Sequence, residues 1–270
     1  MYKSVLVFGA LLFATHVEAA TLAPHRAIYD LEVSRLDRNS GYSAIEGKLA
    51  YELTGSACEG FAVNYRIANR YTQPERPPQL FDTQLTTWES ADGLEMNLNQ
   101  KTFLNSELST EERLNVKRDK KDGEGKGTMT KPKELEFALP AEALFPSTHQ
   151  MKLLDEAKQG ITRDTSIVFD GSDSEKTYKA VTFIGKMRPP GTFAGDKDNA
   201  QVEELQKMPS WPMTISYFPM DDANAETPSY STSFNMYENG VSTELLMDYG
   251  TYAMKGKLAK LDLLKADICK

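Results

Sequence analysis

Cysteine and histidine are nearly missing from this sequence, with two of the first and three of the second in 270 residues. Zinc and redox centres need such residues clustered at set spacings, and Cys58, Cys269, His16, His25 and His149 show none. No apolar run approaches the roughly 20 residues that cross a bilayer, and no repeat recurs at solenoid or propeller spacing. Positive charge is in deficit as well. The net charge of -8 argues against a nucleic-acid or anionic-membrane surface, which relies on clustered Lys and Arg. A Gly-x-Ser-x-Gly turn is also absent, so the strand-to-helix nucleophile of many hydrolases has no place to sit.

What is present starts with an export signal. Lys3 supplies a positive charge, Val5 to Ala14 an apolar stretch, and Val17-Glu18-Ala19 the residues that a signal peptidase inspects. About ten apolar residues are half of what a membrane anchor needs. The expected organisation is therefore a signal peptide over residues 1–19 and one periplasmic domain over 20–270. Export would take Cys58 and Cys269 into an oxidising compartment. One internal bond, two free thiols and bonds to other chains are then the alternatives.

Alternation dominates the mature part: Ile28, Leu31 and Val33, then Phe61, Val63, Tyr65 and Ile67, then Ile167 and Phe169. Turn formers at Asn39-Ser40-Gly41, Asp92-Gly93, Asp122-Gly123 and Asp170-Gly171 break it into short segments, which predicts an antiparallel sheet, sandwich or barrel. Asn239-Gly240 predicts a two-residue hairpin turn. In that register Met236 faces Thr243, Phe234 faces Leu245, Thr232 faces Met247 and Tyr230 faces Tyr249. Tyr230, Phe234, Met236, Leu245, Met247 and Tyr249 then form an apolar face as candidate interior-lining residues. Such a face either fills a core or surrounds a ligand.

One helix is predicted after Phe145-Pro146, with Ser147 as N-cap, Gln150 completing a capping box, Met151, Leu154 and Ala157 at helical spacing, and Gly160 as terminator. Asn199 to Lys207 predicts a second short helix.

The remaining candidate chemistry reads better as structure. Gly123 to Thr128 lacks the glycine that a phosphate-binding loop requires before Gly-Lys. With Lys117, Arg118, Lys120 and Lys121 it reads as a solvated hairpin tip or edge. Asp170 to Glu175 lacks the residue order of a calcium-binding EF-hand loop. Ser147 and His149 lie two apart on a helix and do not face each other. Trp88 reads as a core anchor. No catalytic, cofactor-binding or metal-binding residue is expected.

Eight segments and a terminal cysteine, in one order, resemble the EipB-like cell-envelope integrity family of Gram-negative bacteria. They run from Leu22-Ala23-Pro24-His25-Arg26-Ala27-Ile28-Tyr29 and Ala57-Cys58-Glu59-Gly60-Phe61, through Trp88-Glu89-Ser90-Ala91-Asp92-Gly93 and Leu144-Phe145-Pro146-Ser147-Thr148-His149. Phe169-Asp170-Gly171-Ser172 and Trp211-Pro212 follow, and the series ends with Tyr237-Glu238-Asn239-Gly240-Val241, Asp248-Tyr249-Gly250 and Cys269. The resemblance implies a mainly β fold, an antiparallel β-spiral or broken oval β-barrel with one or two short helices. It also implies a Cys58 to Cys269 disulfide and a role in envelope integrity with no established catalytic residue. The partner expected is an envelope lipid or a periplasmic protein, with no cofactor and no nucleic acid.

Overall fold

The computed structural model of the chain describes residues 21–171, 173–192, 200–222 and 225–266. The expected signal peptide, Ser172 and Cys269 lie outside them. Strands β1 (His25–Leu36), β2 (Ala44–Ser56), β3 (Gly60–Thr72), β4 (Gln79–Glu89), β5 (Glu95–Leu104), β6 (Glu107–Arg118), β7 (Gly125–Lys131) and β8 (Leu135–Leu139) form the first half. The second half holds β9 (Ala143–Leu144), α1 (Pro146–Lys158), β10 (Arg163–Val168), β11 (Tyr178–Ile184), α2 (Ala200–Gln206), β12 (Ser210–Pro219), β13 (Tyr230–Tyr237), β14 (Ser242–Asp248) and β15 (Tyr252–Leu263).

All 15 strands among the described residues belong to one sheet, ordered β8-β7-β6-β5-β4-β3-β2-β1-β15-β14-β13-β12-β11-β10-β9. Two meanders are thus joined by one long-range seam, β1 against β15, with His25 opposite Leu263 and Leu36 opposite Tyr252. The strip curls into a nearly closed barrel whose end strands, β8 and β9, follow each other in the chain without pairing. Among the named strands one pair departs from the antiparallel expectation: β9 runs parallel to β10, because α1 carries the chain back across the sheet.

Curling has a local cause. A straight row across five strands reads Leu245, Gly256, Leu31, Gly47, Asn69. Both glycines leave room for neighbours: a Cβ on Gly256 would come within 3.1 Å of the Leu31 and Leu245 side chains, and one on Gly47 within 2.1 Å of Asn69 Oδ1. Missing side chains on the concave face let long strands bend toward it.

Period-two patterning puts His25, Ala27, Tyr29 and Leu31 inside and Arg26, Ile28, Asp30 and Glu32 outside. Three apolar clusters fill the concave side. One lies beneath α1 and includes Leu153, Leu154, Ile215 and Met236. A second surrounds Tyr29, Leu31, Leu49 and Met254. The third lies where β5 to β8 face Phe145 and Phe169. Among the described residues no helix is long and apolar enough to cross a membrane.

Candidate functional site

The predicted hairpin forms, but its turn differs. Tyr237 opposes Val241 through the Tyr237 N–H to Val241 carbonyl bond at 2.9 Å, and the Gly240 N–H donates to the Tyr237 carbonyl at 2.8 Å. Three residues, Glu238 to Gly240, make the loop, with Gly240 alone of them at positive φ (86°). Near the turn Asn235 therefore pairs with Thr243 and Met236 with Ser242, one residue away from expectation. A bulge with Glu244 at φ 56° gives the residue back. Beyond it Thr232 faces Met247 as predicted. The physical reason is twist: a type I turn closed by a left-handed glycine suits a three-residue loop.

Phe234, Met236 and Leu245 line a cavity of about 290 Å³ between α1 and the concave sheet. Leu49, Leu153, Val168 and Ile215 complete its apolar wall, and His25, His149, Gln150 and Asp170 bring polar groups to it. The other three candidates sit elsewhere. Tyr230 backs the wall, stacked on Tyr217 with ring centroids 4.4 Å apart and donating its hydroxyl to Asp170 at 3.1 Å. Burial, and then the Asp170 charge, push the Tyr230 phenol far up. Met247 packs in the cluster around Leu31. Tyr249 is exposed and borders a separate hollow with Tyr42, Tyr65, Tyr71 and Tyr252.

Polar groups at the cavity are fixed by their neighbours. Since a carbonyl only accepts, the 2.8 Å contact between His25 Nδ1 and the Ala23 carbonyl makes Nδ1 the donor and leaves Nε2 as acceptor in the neutral ring. Burial lowers the His25 pKa, partly offset by that carbonyl. Gln150 Nε2 donates to the Gly240 carbonyl at 2.8 Å, tying the helix to the hairpin turn. Tyr29 reaches the Ser242 carbonyl at 2.7 Å.

Helix α1 forms as predicted but starts two residues earlier, at Pro146, and Gly160 at φ 77° ends it. The predicted capping box does not form. Phe145 is the N-cap and has no side-chain cap bond, because Pro146 supplies the first helical residue and moves Ser147 inside the helix. Glu89 of β4 takes over: its carboxylate accepts the Ser147 N–H at 3.1 and 3.0 Å and the Ser147 hydroxyl at 3.1 Å. Burial pushes Glu89 up to about 7, against the pull of the Ser147 and Thr148 donors.

One turn along, Lys152 donates to Asp164 and, at 2.9 Å, to Ser166 Oγ, while Ser166 donates to Asp164 at 2.7 Å. His149 Nε2 lies 3.7 Å from Asp164, too far for a hydrogen bond but close enough for an ion pair. Burial alone would raise Asp164, yet the surrounding donors hold it well below the usual carboxylate range. His149 itself is buried.

Two further expectations are corrected. Arg118 does not belong to a solvated tip: it is buried, donates to the Ala141 and Ala143 carbonyls at 3.1 and 2.7 Å, and lies over the Phe145 ring at 5.0 Å. It thereby clips β6 to the β8-to-β9 connection. Trp88 is not a core anchor; its side of β4 faces out and it is 37% exposed. Strand alternation carried that signal, since Leu85, Thr87 and Glu89 take the inward positions.

The architecture has counterparts among known proteins. The model of the EipB-like family matches residues 16–265. This chain belongs to the EipB-like family. It is 36% identical over 251 residues, covering 93% of this chain and 87% of the relative, to the cell envelope integrity protein EipB of Brucella abortus (strain 2308). It also resembles a solved beta-barrel-like protein of the domain of unknown function DUF1849 from Brucella abortus, with a TM-score of 0.83 and 36% identity over 92% of this chain and 100% of that one. Membership of this family supports a role in envelope integrity.

Proposed function

We propose that this protein is exported to the periplasm and maintains the envelope by holding an apolar or amphipathic envelope component in the hollow beneath α1, with no chemical step. The observation behind this reading is the 290 Å³ cavity walled by Phe234, Met236, Leu245, Leu153 and Ile215. An apolar hollow with a few placed polar groups is the usual form of a small-ligand site. His25, Gln150 and Asp170 would orient the polar end of an amphipathic guest.

The test is organic extraction of the mature protein purified without detergent, followed by mass spectrometry, alongside displacement of a hydrophobic fluorescent dye by fatty acids and phospholipids. Recovery of a lipid that is lost from Phe234→Asp supports the reading. A protein that yields no lipid and takes up neither dye nor lipid refutes it.

A second reading has one observation of its own. Strand β8 ends the sheet, and an unpaired edge suits a partner that adds a strand. Site-specific photocrosslinking from exposed Glu136 in cells would capture that partner; repeated capture of none would count against it.

A further inference from the structure

The outer face of β4 to β7 carries an arrangement that the cavity does not use. Trp88 on β4 faces Asn97 on β5, Asn97 faces Asn115 on β6, and Asn115 faces Thr128 on β7. These four side chains form one straight row across four adjacent strands and line a shallow outer groove of about 610 Å³. Trp88 is 37% exposed, whereas the protein's other tryptophan, Trp211, is buried in the cluster beneath α1.

The amides of the row are held in position. Asn115 Nδ2 donates to Asn97 Oδ1 at 2.8 Å and to Glu95 Oε1 at 2.9 Å. Asn97 Nδ2 also donates to Glu95 Oε1 at 3.4 Å, and the Asn97 side chain is exposed on the outer face. A parallel row beside it, Asn64, Thr86 and Asn99, is uncharged between Glu52 at one end and Arg113, which also lines the groove, at the other, and Thr86 donates to Asn64 at 3.2 Å.

We propose that this row is a binding platform for a linear chain of uncharged pyranose sugars, with one ring stacked on Trp88 and the next rings hydrogen-bonded by Asn97, Asn115 and Thr128. Three physical points favour this occupant. An aromatic plane exposed on a flat polar face matches the apolar face that a pyranose presents through its ring C–H groups. Side-chain amides and hydroxyls both donate and accept, as sugar hydroxyls do. Strands lie ~4.8 Å apart, close to the length of one pyranose unit, so successive sugars would meet one polar side chain each.

A protein partner fits this face less well. Interface tryptophans sit at the centre of desolvated, tightly packed pockets, and burial here would strip water from Asn97, Asn99, Asn115, Thr86 and Thr128, each needing a new partner.

Tryptophan emission of the mature full-length chain tests the proposal, because Trp88 is the exposed reporter. The probes are the tetramers of β-1,4-linked N-acetylglucosamine and of β-1,4-linked glucose, with the dimers for comparison. The expected result is a saturable emission change at millimolar sugar, tighter for a tetramer than for its dimer. Asn97→Ala and Asn115→Ala each weaken binding by about fivefold. Trp88→Ala, followed by saturation-transfer NMR on the sugar, weakens it by about tenfold or more. These side chains point to solvent, so circular dichroism and lipid uptake by the cavity stay unchanged, which separates this outcome from that of the cavity reading. The proposal is overturned if neither tetramer alters the emission, if Trp88→Ala binds as well as the parent, or if a photoprobe at Trp88 captures a protein while the sugars have no effect.

Discussion

Glu89 and Ser147 lie 58 residues apart in sequence, yet the carboxylate of one is the N-terminal cap of the helix that begins beside the other. The pair locks α1 over the cavity. Because burial raises Glu89 from its ordinary 4.5 to about 7, the folded state keeps this proton at pH values where the unfolded state has released it. That contribution to stability is full below about pH 4.5 and is lost as pH rises to about 7, on the order of 3 kcal/mol. Subtracting the pH profile of Glu89→Gln from that of the parent, by chemical unfolding, isolates it. A difference that does not change between pH 4.5 and 7 would contradict the assignment.

The turn glycine Gly240 offers a sharper steric test. Its φ is 86°, and an added Cβ would come within 2.7 Å of Leu22 Cδ2. Gly160 has a similar φ of 77° with nothing within 4 Å. Gly160→Ala should destabilise by about 1 kcal/mol through backbone conformation alone, and Gly240→Ala by about 2–4 kcal/mol because overpacking adds to it. Equal thermal shifts in the two variants would mean that Leu22 yields freely.

Lys152 is the cation that faces the buried Asp164. Lys152→Met should destabilise the fold at neutral pH by about 1–3 kcal/mol, less than for a fully buried pair because the Lys152 side chain is partly exposed. Asp164 sits below its ordinary range, so its contribution is present above about pH 4 and fades as pH falls further. Lys152→Met should therefore shrink the acid-side slope of the stability profile, and Asp164→Asn in the same background should restore part of the midpoint.

Pairing Cys58 with Cys269, as the family resemblance implies, would close about 210 residues, and loop entropy then gives an upper figure of roughly 5 kcal/mol. Cys58→Ser should lower the unfolding midpoint and speed proteolysis, and free-thiol titration of the unfolded parent should find none. Two titratable thiols would end that expectation.

Local chemistry was legible in the sequence. Asn239-Gly240, the Ser147 to Gly160 helix and the strand alternation all depend on neighbours within a few residues, and each element exists close to where that chemistry places it, with the turn one residue longer and the helix start two residues earlier. Non-local partners were not. Nothing near Glu89 signals a helix end, and nothing near Arg118 signals the carbonyls of Ala141 and Ala143. The extra turn residue was hidden because the Glu244 bulge cancels it further along the hairpin. Trp88 was misread because its size suggested burial, although the period-two pattern of its own strand pointed it outward. Alternation alone left sheet, sandwich and barrel open; the family resemblance supplied the spiral.

The seam between β1 and β15 has a consequence for how the shell is made. Its two strands are the first and the last of the described sheet in chain order, so neither meander can cover its inner edge until the other has been made. Closure at such sequence distance is slow, and until then two uncovered edges invite pairing with other chains. A chain of this design depends on being kept apart from its copies until its last strand arrives.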